Sequence, residues 1–277
     1  MIQLPPEQQL PGKTQYREWS GHDWVLSPQG DRIAGLHDAV THTPGCYPCS
    51  APDSIVIFDV DSGQLRTLPL PPGSLANGSR YPISWSPDES AVVIGGCRPC
   101  NDPNSPGIAD ITPTAIEHGH LFIVPVDGSP VRELLDATET SLYSAAWSPD
   151  GTTIAFGRYE CAADEHAPYC QRGTHSLLTL NVANGEATVV AEVTGDHFFW
   201  SPDGRRITFA DTSVFVVDAD GSHLTKVADG WEPTWSPDSQ WILFSRYDQA
   251  LGIQRPWIVP ADGGQPRLLG NYGGWGW

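Results

Sequence analysis

The sequence predicts an all-β protein, a β-propeller of five four-stranded blades, and three observations predict it. A hairpin motif recurs: Trp85-Ser86-Pro87-Asp88, Trp147-Ser148-Pro149-Asp150-Gly151, Trp200-Ser201-Pro202-Asp203-Gly204 and Trp235-Ser236-Pro237-Asp238, preceded by a worn copy, Leu26-Ser27-Pro28-Gln29-Gly30. A short alternating apolar strand follows each copy, as in Thr153 to Gly157. Composition agrees, since 28 Gly and 26 Pro with 39% hydrophobic residues suit a turn-rich β protein. No sustained 3.6-residue period supports a helical alternative.

The motif has a physical logic. Proline pre-sets φ near −65° at the second turn position, Asp tolerates the third, and Gly takes the left-handed position that closes the hairpin. The Ser-Pro pairs begin at 27, 86, 148, 201 and 236, so the steps are 59, 62, 53 and 35 residues. Four-stranded blades repeat every ~40–45 residues, so the longer steps are blades with insertions.

The elements follow in order. Residues 1–11 form a Pro- and Gln-rich lead, and Lys13 to Trp19 alternates like the last strand of a blade. Residues 1–19 are therefore expected as an N-terminal lead with a ring-closing strand, and residues 20–277 as a single propeller domain. Blade 1 is expected at 22–26, 32–36, 54–60 and 64–68, and blade 2 at 81–85, 91–95, 120–126 and 131–135. Blade 3 is expected at 143–147, 153–157, 176–182 and 187–190. Blade 4, the cleanest copy, takes 197–200, 206–210, 214–218 and 223–227, and blade 5 takes 232–235, 241–246, 256–260 and 266–269. The tail, 271–277, reads like one more first strand. Two rings fit this count: five blades with an overlapped seam, which is the expectation, or six blades with one incomplete. The motif tryptophans are expected as wedges between blades, because a residue repeated at one place in every unit marks packing.

Net charge is −18, from 33 acids against 15 bases, with Lys13 and Lys226 the only lysines. Such a surface repels phosphate backbones and anionic lipid, so neither nucleic acid nor membrane insertion is expected. No apolar run approaches the roughly 20 residues of a membrane span. The start, Met1-Ile2-Gln3-Leu4-Pro5-Pro6, lacks the features of a signal peptide.

The Trp-Ser-Pro-Asp-Gly turn, the Ile-Ala-Phe strand and Val214-Phe215-Val216-Val217-Asp218-Ala219-Asp220-Gly221 together resemble the WD40-like repeat of TolB-like β-propellers, over roughly residues 20–270. The sequence departs from that repeat at Gln29, Glu89 and Ser239. The resemblance implies a binding scaffold more than a chemistry. Related peptidases carry an added hydrolase domain with a Gly-x-Ser-x-Gly elbow, and no such elbow occurs here.

Phasing the blades places three long insertions, 37–53, 96–119 and 158–175, between second and third strands, on one face of the disc. They hold all six cysteines, with His37, His42, His118, His120, His166 and His175 in or beside them. Local pairing predicts the disulfides Cys46–Cys49, Cys97–Cys100 and Cys161–Cys170, as expected in an oxidising compartment, extracellular or periplasmic. The alternative is a structural zinc on Cys46, Cys49, Cys97 and Cys100. Otherwise no cofactor is expected. Where the innermost strands begin, His22, Asp23, Tyr81, Tyr143, Asp196, His197, Trp231 and Glu232 are the candidate ligand-binding residues, a mixture suited to a polar small molecule, a sugar or a peptide side chain. A non-catalytic, exported binding propeller is the expected function, its loop face meeting a protein or a small polar ligand. The alternative is a carbohydrate-active enzyme, a glycosidase or a metal-dependent lyase, with its site in the central pocket of that face. A glycosidase would draw its carboxylate pair from Asp23, Asp196 and Glu232.

Overall fold

The computed structural model describes residues 24–40, 50–70, 83–98, 118–138, 140–161, 173–193, 195, 197–249 and 251–270. These residues form five antiparallel sheets of four strands, each hydrogen-bonded in chain order, arranged as a five-blade propeller. Blade 1 comprises β1 (Trp24–Leu26), β2 (Arg32–Val40), β3 (Ser50–Asp59) and β4 (Leu65–Pro69). Blade 2 comprises β5 (Ser84–Trp85), β6 (Ala91–Arg98), β7 (His118–Pro125) and β8 (Arg132–Thr138). Blade 3 comprises β9 (Thr140–Trp147), β10 (Thr153–Cys161), β11 (Gly173–Asn181) and β12 (Ala187–Glu192). Blade 4 comprises β13 (Phe198–Trp200), β14 (Arg206–Ala210), β15 (Ser213–Asp218) and β16 (Thr225–Asp229), and blade 5 comprises β17 (Trp231–Trp235), β18 (Trp241–Asp248), β19 (Ile253–Pro260) and β20 (Arg267–Leu268). The first strands of successive blades touch one another, β5 on β9, β9 on β13 and β13 on β17, so they are the innermost. Among the described residues no helix is long and apolar enough to cross a membrane.

Each Ser-Pro turn is a closed hydrogen-bond circuit. The motif serine hydroxyl accepts the backbone N–H that opens the second strand, at 3.0 Å from Ala91, 3.0 Å from Thr153, 2.9 Å from Arg206 and 2.9 Å from Trp241. The same hydroxyl donates to the motif aspartate, as from Ser148 to Asp150 at 2.7 Å. That carboxylate also accepts a backbone N–H two residues on, as from Thr152 at 3.0 Å. In the worn copy Gln29 stands where the aspartate should be, and Asp31 takes its place, accepting the Ser27 hydroxyl at 2.9 Å. The circuit survives by moving its carboxylate two residues along.

Buried residues run continuously through the middle strands, as at 207–210 and 242–245, because both faces of a blade meet neighbours. Four buried clusters result, one at each junction from blade 1–2 to blade 4–5. The motif tryptophans sit in them: Trp85 and Trp235 are buried, and Trp147 and Trp200 are half-buried. Three of their indoles reach back across the junction. Trp85, Trp200 and Trp235 Nε1 donate to the carbonyls of Val25, Ala146 and Phe199, at 3.0, 3.0 and 2.9 Å. Trp147 instead donates from its indole to Gly151 in its own turn, and its backbone N–H bonds the Ser84 hydroxyl at 3.0 Å.

The second and third strands run further than the sequence reading places them. In blade 3 the ladder continues past Gly157 to Cys161, paired with Gly173. In blade 2 it reaches Arg98 paired with His118, and in blade 1 Val40 paired with Ser50. The physical reason is that backbone pairing outlasts the apolar alternation, so these polar segments extend as hairpins beyond the packed part of the blade. Cys97 and Cys161 are thus strand residues, His37, His118 and His175 belong to β2, β7 and β11 rather than to loops, and His120 lies in β7 as expected. Cys46, Cys49, Cys100 and Cys170, and the side chains of Cys97 and Cys161, lie outside the described residues, as do residues 1–19 and 271–277. The expected disulfides, the zinc alternative and the lead strand all fall there.

Candidate functional site at the loop-rich face

Antiparallel strands in chain order put the Ser-Pro and third-to-fourth-strand turns on one face of the disc and the long second-to-third hairpins on the other. The innermost strands begin on that second face. Of the eight candidate residues, Tyr143, His197, Trp231 and Glu232 are described, while His22, Asp23, Tyr81 and Asp196 lie outside the described residues.

Blades 3 and 5 build the same bulge into the inner strand. Between Tyr143, opposite Gly157, and Ala146, opposite Ala155, β9 holds one residue more than its partner. Between Trp231, opposite Ser245, and Thr234, opposite Leu243, β17 does the same. Each bulge places a non-glycine residue in the left-handed region, Ser144 at φ 55° and Glu232 at φ 53°. Such backbone costs about 1 kcal/mol or more and persists only where its surroundings enforce it.

What enforces it differs between the two. In blade 3 the Tyr143 ring lies over Gly157, where a Cβ would come within 2.3 Å of ring carbon Cε2, so only glycine fits. The Tyr143 hydroxyl lies 3.1 Å from His175 Nδ1 and 3.4 Å from the Gly195 carbonyl, linking blade 3 to blade 4. His175 in turn packs on the Tyr159 ring, with centroids 4.4 Å apart. In blade 5 the Ser245 hydroxyl donates to Glu232 Oε2 at 2.9 Å; Ser245 is fully buried while Glu232 is exposed. His197 lies parallel to Phe199, with centroids 6.5 Å apart, and is half-buried. His197 and Trp231 with Glu232 thus stand at the openings of the inner strands β13 and β17, whereas Tyr143 lies inside β9, three residues past its start at Thr140; the bonds of Tyr143 and Glu232 run to supporting residues.

His175 and Tyr159 are the partners that the sequence reading leaves out of the site. Their signal is indirect. They become neighbours only when the blade 3 ladder is continued to Tyr159↔His175.

The opposite face is chemically closed. The hydroxyl of Ser86, then the N–H of Ser90, hold the Asp88 carboxyl below the usual 3.8; the N–H of Thr152, then the hydroxyl of Ser148, do so for Asp150. A hollow of about 480 Å³ there is lined by Asp203, Arg205, Arg206, Asp218 and Asp220 among others. Arg206 is already spent on Asp262 at 2.7 Å and on the Ser239 carbonyl at 2.9 Å. Asp203, Asp218 and Asp220 are bonded within their own turns, to Ser201, to Ser222 and His223, and to Ser222.

No family model matches the chain, and no curated protein does. Solved structures do. TolB from Acinetobacter baumannii superposes with a TM-score of 0.53 at 15% identity, covering 87% of this chain and 52% of that one. The fold is that of a TolB-like β-propeller. The chain spans about half the length of that TolB structure, at 52%. A puromycin-hydrolyzing peptidase from Mycobacterium tuberculosis (TM-score 0.55, 14% identity, 89% of this chain and 37% of that one) and the tricorn protease (0.55, 8%, 89% and 26%) share the architecture. At such identities the chain has the propeller fold in common with these proteins, and the likeness goes no further.

Proposed function

We propose that this chain is an exported, non-catalytic binding propeller whose loop-rich face takes a small polar ligand or a protein partner at the starts of the inner strands. One observation carries the reading. Glu232 is an exposed carboxylate on left-handed backbone, steadied by the fully buried Ser245. Strained backbone concentrates where a side chain must be aimed, and rigid strand ends aim side chains better than loop tips. On blade 3, the Tyr143–His175–Tyr159 group adds apolar faces with polar edges, the kind of lining that grips a sugar or a peptide side chain. Export is inferred from six cysteines at locally paired spacings, with the disulfides Cys46–Cys49, Cys97–Cys100 and Cys161–Cys170 shaping the loops.

The experiment is a calorimetric screen of mono- and oligosaccharides and short peptides against wild type and a Tyr143→Ala, Glu232→Ala double variant. A ligand that binds wild type and is weakened at least tenfold in the variant supports the site. One that binds both equally, or whose binding maps to the Ser-Pro face, overturns it. Turnover of a carbohydrate would instead make the protein an enzyme.

A further inference from the structure

A second cluster lies away from the inner strands, on the two outer strands of blade 2. His120 of β7 faces Asp136 of β8 directly, and Phe122 faces Glu133. Two carboxylates three residues apart on a strand normally point to opposite faces. Here the register slips by one residue between Leu121 and Phe122, and the slip puts Glu133 and Asp136 on the same face as His120. His120 Nδ1 is 2.6 Å from Glu133 Oε1 and 3.9 Å from Asp136 Oδ1, and the three groups bring ligand atoms within 4.8 Å of one another. The imidazole is largely covered, its side chain 14% exposed, and lies parallel to the Phe122 ring, whereas the carboxylates are open to solvent at 45% and 55%.

The repeat supplies its own control. The same slip occurs in blade 4, where Ser213 faces Asp229 and Phe215 faces Lys226. Position for position, Ser213 stands for His120, Lys226 for Glu133 and Asp229 for Asp136. Blade 4 resolves its charges internally, with Lys226 Nζ 2.6 Å from Asp229 and the Ser213 hydroxyl 3.3 Å from the same carboxylate. In blade 3 the three places hold Ser176, Val189 and Glu192. The frame is therefore generic to the fold, and blade 2 alone of these three fills it with one imidazole and two acids. Where blade 4 places Lys226, blade 2 places Glu133, beside His120 and Asp136.

We propose that His120, Glu133 and Asp136 bind a divalent transition-metal cation, zinc foremost, at the outer rim of blade 2. One imidazole nitrogen and two carboxylate oxygens are zinc-type donors, and the imidazole disfavours calcium and magnesium, which take oxygen. Ligand atoms around a tetrahedral zinc, with bonds of about 2.0 Å, lie about 3.3 Å apart. Small rotations of the two exposed carboxylates reach that spacing. The metal takes the place of the direct His120–Glu133 contact, and water completes the shell from the open side. The site stands where the chain returns from residues 99–117 into β7, so it fixes the end of the longest insertion.

The test uses the full chain, stripped with chelator, and a His120→Ser, Glu133→Lys variant that carries blade 4's own residues and so keeps a combination the fold already accommodates. Equilibrium dialysis with zinc chloride at pH 7.5 should give one equivalent more in wild type than in the variant. Cobalt bound here should lack the near-ultraviolet thiolate charge-transfer band, which separates this site from any zinc on the cysteines. Zinc should raise the melting temperature of wild type and leave the variant unmoved. Equal stoichiometry in the two proteins overturns the proposal, as does a cobalt spectrum accounted for wholly by thiolates.

Discussion

Arg32 of blade 1 and Glu89 of blade 2 form a clasp across the first blade junction. The guanidinium Nη2 is 2.5 Å from Glu89 Oε2, Nη1 donates to the Glu89 carbonyl at 3.2 Å, and the cation lies over the Trp85 ring at 5.2 Å. Glu89 Oε1 takes the Gln29 N–H, and Glu89 itself is 1% exposed at φ 58°. Arg206 of blade 4 repeats the arrangement, donating to the Ser239 carbonyl, stacked on Trp235 at 5.1 Å, with Ser239 at φ 59°. The two departures from the turn glycine are thus junction contacts.

Replacing Glu89 with Ala leaves Arg32 without its buried partner and keeps a Cβ on left-handed backbone. The expected loss is about 3–5 kcal/mol, the range for breaking a buried pair. Glu89→Gly relieves the backbone by about 1 kcal/mol and should cost correspondingly less than Glu89→Ala. Urea unfolding of the two variants checks the order; equal losses would show that backbone strain at 89 counts for nothing.

The indole bonds give a second, graded test. Trp235→Phe removes the donor to the Phe199 carbonyl and should cost about 1–3 kcal/mol beyond its small volume change. Trp235→Ala should cost about 3–5 kcal/mol. Trp147→Phe should leave the blade 2–3 junction intact, because Trp147 crosses that junction with its backbone N–H. Thermal melts of the three proteins rank them.

Acid should weaken the Ser-Pro face selectively. Hydrogen bonds from Ser86 and Ser90 on Asp88, from Thr152 and Ser148 on Asp150, and from Ser236 and Gln240 on Asp238 hold these carboxyls below the usual 3.8. A depressed folded value means the stabilisation is fully present above pH 3.8 and is lost as pH falls through the folded values beneath it. An Asp150→Asn variant should therefore lose less stability than wild type on going from pH 5 to pH 2.5. Denaturant midpoints at the two pH values measure it.

His223 moves the other way. The hydrogen bond from Asp218, then its charge, raise the imidazole above 6.5. Its contribution is present below 6.5 and lost as pH rises through the folded value. Proton NMR should show His223 titrating at higher pH in wild type than in Asp218→Asn.

The repeat was legible because the hairpin turn is local chemistry. Ser, Pro and Asp make their bonds within five residues, so Trp147 to Thr153 announces both the turn and the strand after it. The worn copy was legible too, although its rescue by Asp31 was not, since Gln29 and Asp31 become alternatives only in three dimensions. Of the four described candidate residues, His197, Trp231 and Glu232 stand at inner-strand starts, whereas β9 begins at Thr140, three residues before Tyr143, because its pairing with β10 continues through polar residues. The bulges at Ser144 and Glu232 were not legible, because a one-residue slip leaves no mark on an alternating pattern so short. The His120 cluster was hidden for the same reason: the residues at 120, 133 and 136 share a face only through a register shift that no spacing rule contains.

The indoles of Trp85, Trp200 and Trp235 all reach toward the blade before them, never the blade after. On a ribosome that direction has meaning in time. When blade 2 emerges, the Val25 carbonyl that Trp85 needs has already been synthesised, and the same holds for Ala146 before Trp200 and Phe199 before Trp235. A newly made blade can dock at once on a surface already waiting, with no later segment required to complete that bond. Nascent chains arrested after blade 3 should accordingly hold blades 1 to 3 in a protease-resistant stack, whereas fragments that begin at blade 2 should leave their leading indole without its acceptor.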